Sequence, residues 1–124
     1  MQFNFVPPAL IFYTGWGLSD GVAGASNGPV VRIRPNLVSD RGLLMHELEH
    51  VRQWWITLGL GPLAYLVSRH YRRWSESRAY RVQMNYPRED GTFMTVGAAA
   101  LRLTSERYKL GLTYERALEI MSAL

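Results

Sequence analysis

The sequence predicts an α+β fold: a small N-terminal β-sheet packed on a predominantly helical body, whose first long helix carries the chemistry. Three observations lead there. Residues 1–38 are rich in Gly, Pro, Asn and aromatics. From residue 40 onward the apolar residues recur at helical spacing. Between these parts, Val30-Val31-Arg32-Ile33-Arg34 alternates like a half-buried strand. At 124 residues the chain is expected to form one domain, residues 1–124, able to bury a core without staples.

Residues 2–6 and 9–13 are expected as short strands around the Pro7-Pro8 break. Residues 15–28, with their Gly, Ser, Asp and Asn content, read as a long loop. In residues 30–34, Val31 and Ile33 point to one side while Arg32 and Arg34 point to the other. Flanking Pro29 and Pro35 favour an edge position, because proline cannot donate to a ladder. Ser39 and Asp40 are N-cap candidates for a helix running to about Leu58, where Gly59 supplies a left-handed stop. Its apolar arc comprises Leu43, Leu44, Leu48, Val51, Trp54, Trp55 and Leu58, with Glu49, Arg52 and Gln53 on a solvated side. A short helical piece is expected over 63–70 and a helix over 74–86, ended by Pro87. A turn at Glu89-Asp90-Gly91 precedes a helix over 92–110. Gly111 breaks the chain, and Thr113 caps a last helix.

Composition excludes several classes. With no cysteine, thiolate ligands and disulfides are ruled out, and any metal must be held by His, Asp or Glu. The net charge of +4 comes almost wholly from Arg, Lys109 being the one lysine. These cations form no run longer than Arg72-Arg73, so a solvated surface is expected and no nucleic-acid partner. The apolar N-terminus lacks a basic n-region and contains Pro7-Pro8, so no secretory signal is expected and the cytoplasm is the expected compartment. Residues 54–67 are uncharged, yet this stretch holds Gly59, Gly61 and Pro62 and is shorter than the roughly 20 residues a membrane span needs. Burial is its expected fate, and a hairpin touching a membrane or partner is the alternative.

The chemistry-bearing segment is His46-Glu47-Leu48-Glu49-His50. On a helix, residues four apart are separated by about 40°, so both imidazoles can reach one cation. Glu47 lies about 60° from His50, near enough to reach a metal-activated water but poorly placed as a ligand. Catalytic zinc usually takes three protein ligands and leaves a position for water. The best third candidate is Glu76, on a separate helix able to return antiparallel across the first. Glu76, Ala79, Tyr80 and Gln83 share one face there, and small Ala79 allows close approach. His70 is the rival ligand, with Glu106 and Glu115 less well placed. The bland alternative for Glu76 is a surface carboxylate paired with Arg72 or Arg73.

His46-Glu47-Leu48-Glu49-His50 followed by Glu76-Ser77-Arg78-Ala79 resembles the active-site pair of gluzincin metallopeptidases, in particular the small single-domain minigluzincins. The resemblance covers mainly residues 30–83. It implies zinc as cofactor, a peptide or protein substrate, and a strand above the active-site helix that pairs with that substrate; residues 30–34 are the strand to assign. Thermolysin-type members place an acid four positions after the glutamate ligand, where this chain has Tyr80, so the groups that orient His46 and His50 are not assigned by the likeness. Tyr65, His70, Tyr71 and Tyr80 stay open as transition-state stabilisers.

The expected reaction is peptide hydrolysis by a zinc-activated water with Glu47 as general base. Arg32 and Arg34, were they to face the cleft, would favour acidic substrates; the alternative leaves them in solvent. One rival is a catalytically silent zinc-binding interaction module. Another is a nucleic-acid adaptor built on the Arg-rich residues 69–88 with Tyr71, Trp74, Tyr80 and Tyr86 interleaved.

Overall fold

The computed structural model describes residues 8–123. Three strands, β1 (Leu10–Tyr13), β2 (Gly24–Asn27) and β3 (Val30–Ile33), precede a 3-10 turn at Pro35–Leu37. Five helices follow: α1 (Arg41–Ile56), α2 (Gly61–Val67), α3 (Arg69–Gln83), α4 (Val96–Leu103) and α5 (Tyr114–Ser122). The α+β architecture matches the sequence reading, while the strand expected over 2–6 lies outside the described residues.

The sheet order is β1-β3-β2, with β1 parallel and β2 antiparallel to β3. Two expectations are corrected here. Residues 24–27 form a strand and not a loop, although Gly, Ser and Asn are poor strand formers. Pairing to β3 across the two-residue turn Gly28-Pro29, where Gly28 supplies a φ of +59°, provides hydrogen bonds that local propensity does not. Val30–Ile33 is accordingly the central strand, not an edge. Pro29 and Pro35 fall just outside the paired segment, so neither removes a ladder donor. Both ladders of β3 are occupied, and a substrate peptide cannot pair along residues 30–34.

The alternation within β3 holds. Val31 and Ile33 are buried against Leu48 and Val51 of α1. On the other face, Arg32 donates to the Trp16 carbonyl and to Asn27 Oδ1, at 2.9 and 2.7 Å. Arg34 donates to the carbonyls of Val22 and Ser19, at 2.6 and 2.8 Å. The two arginines thus tie down the loop before β2, and Arg32 also ties to Asn27 of β2.

Asp40 caps α1 as expected, accepting from the Leu43 amide at 2.9 Å. The helix ends through two consecutive left-handed residues, Leu58 and Gly59. Its burial differs from the expected arc: Trp55 and Leu58 are exposed, whereas Glu49 and Gln53 are only 6% and 2% exposed. They face α3, whose neighbours the sequence of α1 does not reveal. That helix begins at Arg69 rather than Trp74 because Ser68 caps it, accepting from the Tyr71 amide. α2 is correspondingly displaced to Gly61–Val67. The helix expected over 92–110 is confined to Val96–Leu103, started by Thr95 and stopped at Thr104. Thr113 caps α5 as expected.

Contacts pair Gly42 with Gln83, His50 with Glu76 and Gln53 with Ser75, so α1 and α3 run antiparallel. One apolar cluster joins the sheet to α1 through Val31, Ile33, Leu48 and Val51. A second joins α3, α4 and α5 through Tyr80, Ala99, Leu103, Ala117 and Met121. Between them lies a polar seam. His46, Glu47, Glu49, Gln53, Ser75, Glu76, Ser77 and Gln83, the buried polar side chains of the described residues, all sit on α1 or α3. Among the described residues no helix is long and apolar enough to cross a membrane.

Candidate metal centre

Burying polar groups is costly unless each finds a partner, so the seam between α1 and α3 demands an accounting. At its outer end Glu49 accepts from Arg52 at 2.8 Å through both oxygens, and from Gln53 at 2.9 Å. Burial works to raise this carboxyl, but the Arg52 and Gln53 hydrogen bonds outweigh it and hold Glu49 below its ordinary value. Gln53 also donates to the Ser75 carbonyl at 3.2 Å. The outer seam is self-satisfied and structural.

Deeper in, His46, His50 and Glu76 converge, with one ligand-capable atom of each lying within 4.8 Å of the others. His50 Nε2 is 3.2 Å and His46 Nε2 is 3.7 Å from Glu76 Oε1. Burial disfavours charge on His50, but the adjacent Glu76 carboxylate prevails and pushes the imidazole up to about 9. Burial likewise works to raise Glu76, yet the two imidazoles hold its carboxyl well below the usual carboxylate range. Two imidazoles and a carboxylate thus meet at low exposure, the imidazole–carboxylate attraction offsetting part of the cost of their burial.

The donor set fits zinc. Two imidazole nitrogens and one carboxylate oxygen make up a known catalytic zinc shell. Tetrahedral bonds of about 2.0–2.1 Å put ligand atoms about 3.3 Å apart, close to the separations of 3.2 and 3.7 Å found here. The His50 ring is also oriented for it. Its Nδ1 lies 3.1 Å from Ser75 Oγ and 3.3 Å from Gln53 Oε1. With the proton kept on Nδ1 by these two oxygens, Nε2 would be the nitrogen left for a cation once the imidazole is neutral. Tyr65 donates to Glu76 Oε2 at 2.7 Å, which fixes the carboxylate and leaves Oε1 toward the imidazoles. Burial, followed by the Glu76 charge, pushes the Tyr65 hydroxyl far up, so it stays protonated as a donor.

His46 is held differently. The Tyr80 ring packs on it edge-on at 4.5 Å between centroids, and its Nδ1 has no hydrogen-bond partner among the described residues. Van der Waals contact with Tyr80 is what positions this ring. Tyr80 in turn shares a 2.6 Å hydrogen bond with Tyr108.

A cleft of about 460 Å³ opens over the cluster. Glu47 lines it beside the histidines, as do Tyr65, Tyr71, Arg107 and the backbone of β2 from Gly24 to Gly28. Trp54 forms part of the wall, wedged so that a side chain added at Gly28 or Gly59 would meet its indole at 3.5 or 3.6 Å. Of the sequence candidates, the structure brings together His46, Glu47, His50 and Glu76. His70, Glu106 and Glu115 are exposed on other surfaces and do not line the cleft. Sequence reading missed Gln53, Ser75, Arg107 and β2. Gln53 could have been found, three positions after His50 on the same helix, and Ser75 by its place beside Glu76. Nothing local marks Arg107.

Neither a scan against protein-family models nor searches of curated proteins and of solved structures finds a match to this chain.

Proposed function

We propose that this protein is a zinc-dependent peptidase whose metal is held by His46, His50 and Glu76 and whose general base is Glu47. The observation that carries the reading is the convergence of two imidazoles and one carboxylate at zinc-like spacing beneath an open cleft that also contains Glu47. Zinc supplies, when bound, a Lewis acid that polarises a scissile carbonyl and makes water a nucleophile near neutral pH.

The chain's own groups do the rest. Gln53 and Ser75 hold His50 in one tautomer, and Tyr65 fixes Glu76. Glu47 takes a proton from the attacking water and later gives it to the leaving amine. β2 is the edge of the sheet toward the cleft, and its outer side carries no ladder partner among the described residues. An extended peptide can add there by main-chain pairing, the role first assigned to residues 30–34. Low side-chain bulk along Gly24-Ala25-Ser26 leaves room for that approach.

The test combines metal analysis with digestion of a peptide library. Wild type binds one zinc and cleaves. Glu47→Gln keeps the zinc and loses at least about a hundredfold in turnover, and His46→Ala loses both. Cleavage retained by the Glu47 variant removes the base from the scheme. Stoichiometric zinc with no cleavage across diverse peptides would instead favour a silent zinc-binding module, which the partnerless His46 Nδ1 makes the second reading.

A further inference from the structure

The α1–α2 hairpin carries apolar surface that the fold does not use. α2 buries Gly61 and half-buries Ala64 and Tyr65, while Leu63, Leu66 and Val67 are exposed. Positions 63, 66 and 67 share one helix face. The usual polarity of a surface helix is therefore inverted: the small residues pack and the large aliphatics meet water. Leu66 and Val67 are 76% and 73% exposed.

Leu58, in the preceding turn, sharpens the point. It is 89% exposed and holds a φ of +53°, a region that suits Gly or Asn and strains leucine. A leucine there serves neither the backbone nor the core. Ile56 and Leu60, two positions to either side of it in the sequence, are exposed as well.

The charges around it are mostly cationic. Residues 53–75 contain Arg69, Arg72 and Arg73 and no acid. Arg72 donates to the carbonyl of Tyr65 at 2.9 Å and of Lys109 at 3.1 Å, and Arg73 to that of Leu110 at 2.8 Å. These bonds bring the loop carrying Arg107 and Lys109 beside the C-terminal end of α2, with Glu106 the one acid in that loop. Aliphatic side chains bordered by cations match a bilayer with anionic headgroups. A second copy matches poorly, since a self-complementary contact would set this cationic border against itself.

We infer that the α1–α2 hairpin docks the protein on anionic membrane surfaces, with Leu58, Leu63, Leu66 and Val67 entering the boundary between headgroups and acyl chains and the exposed Arg69, Arg107 and Lys109 facing lipid phosphates. Gly61, Pro62 and Tyr65 of this hairpin line the metal cleft, so the element that docks is also one wall of the cleft. The docking stands whether or not the cleft hydrolyses peptides.

Flotation of the full chain with vesicles tests this, comparing phosphatidylcholine alone with phosphatidylcholine containing phosphatidylglycerol. Binding is expected to the mixed vesicles, little to the zwitterionic ones, and a decline with added salt. A triple variant, Leu58→Asn with Leu66→Ser and Val67→Ser, is expected to lower partitioning more than about a hundredfold. It alters no buried contact, and its melting temperature is expected to equal or exceed that of wild type. The inference is overturned by wild type that ignores the mixed vesicles, by equal binding to both vesicle types, or by undiminished binding of the triple variant. A dimer in sedimentation velocity that the variant dissolves, without vesicle binding, would give the surface to a second copy instead.

Discussion

Ser75 and Gln53 contact His50 at Nδ1, while its Nε2 is the nitrogen turned to Glu76. Their two oxygens lie 3.1 and 3.3 Å from Nδ1. In such an arrangement the outer partner fixes ring orientation and basicity, and its loss typically weakens metal binding by about 10–100-fold. Ser75→Ala is expected to lower zinc affinity within that range while leaving the far-ultraviolet dichroism unchanged, measured by competition with a chromogenic chelator. Unchanged affinity would mean that Gln53 alone orients the ring. Tyr65 makes the parallel case on the acid side. Its hydroxyl stays protonated because burial and the Glu76 charge both oppose ionisation.

At the scale of elements, the antiparallel pair α1–α3 sets the distance between the imidazoles and Glu76. Gly42 is one of the points that permit the approach. A methyl group there would meet the Tyr86 carbonyl oxygen at 3.0 Å and the Gln83 carbonyl oxygen at 3.2 Å. These are backbone atoms with little freedom to yield, so Gly42→Ala is expected to cost about 1–3 kcal/mol, read as a lower midpoint in urea with an unchanged slope. The same pair shows how far the sequence can be read. Asp40, Thr113, the His46/His50 face and the Glu76-Ala79-Tyr80-Gln83 face were legible because caps and helical periodicity are local properties. Glu49 and Gln53 were not. They read as solvated until α3 lies across them and supplies the Ser75 carbonyl and Arg78. β2 was hidden for the related reason that a Gly-Ala-Ser-Asn strand exists only by pairing with β3. The prolines that bracket β3 misled in the opposite direction, since they end the paired segment without entering it.

For the whole molecule, the cluster links stability to pH and, if the proposed centre holds, to zinc. His50 has a folded-state pKa near 9, above its ordinary 6.5, so the stability it contributes is full below about 6.5 and is lost as pH rises through about 9. Glu76 is shifted below its ordinary 4.5, so its contribution is present above about 4.5 and is lost as pH falls through its lowered value. In the metal-free protein the pair therefore stabilises most between about pH 4.5 and 6.5. The difference in melting temperature between wild type and Glu76→Gln, measured with chelator present, is expected to be greatest in that window and to shrink toward pH 9. Coordination requires neutral imidazole, so the apparent zinc affinity of the proposed centre is expected to rise with pH. Free zinc at about 100 times its dissociation constant is expected to add about 2.7 kcal/mol of stability, reversed by a chelator; a melting temperature indifferent to zinc would argue against the centre.

Trp54 sits where two turns meet, clasped between Gly28 of the β2–β3 turn and Gly59 of the α1–α2 turn. Trp16, Trp55 and Trp74 are all more exposed to water, which makes the Trp54 indole the shielded fluorophore of the four. Whatever spreads those turns, whether a guest strand along β2 or a lipid headgroup beneath the hairpin, must loosen that clasp. The molecule thus carries its own unlabelled optical gauge of the opening, in the colour and intensity of a single indole's emission.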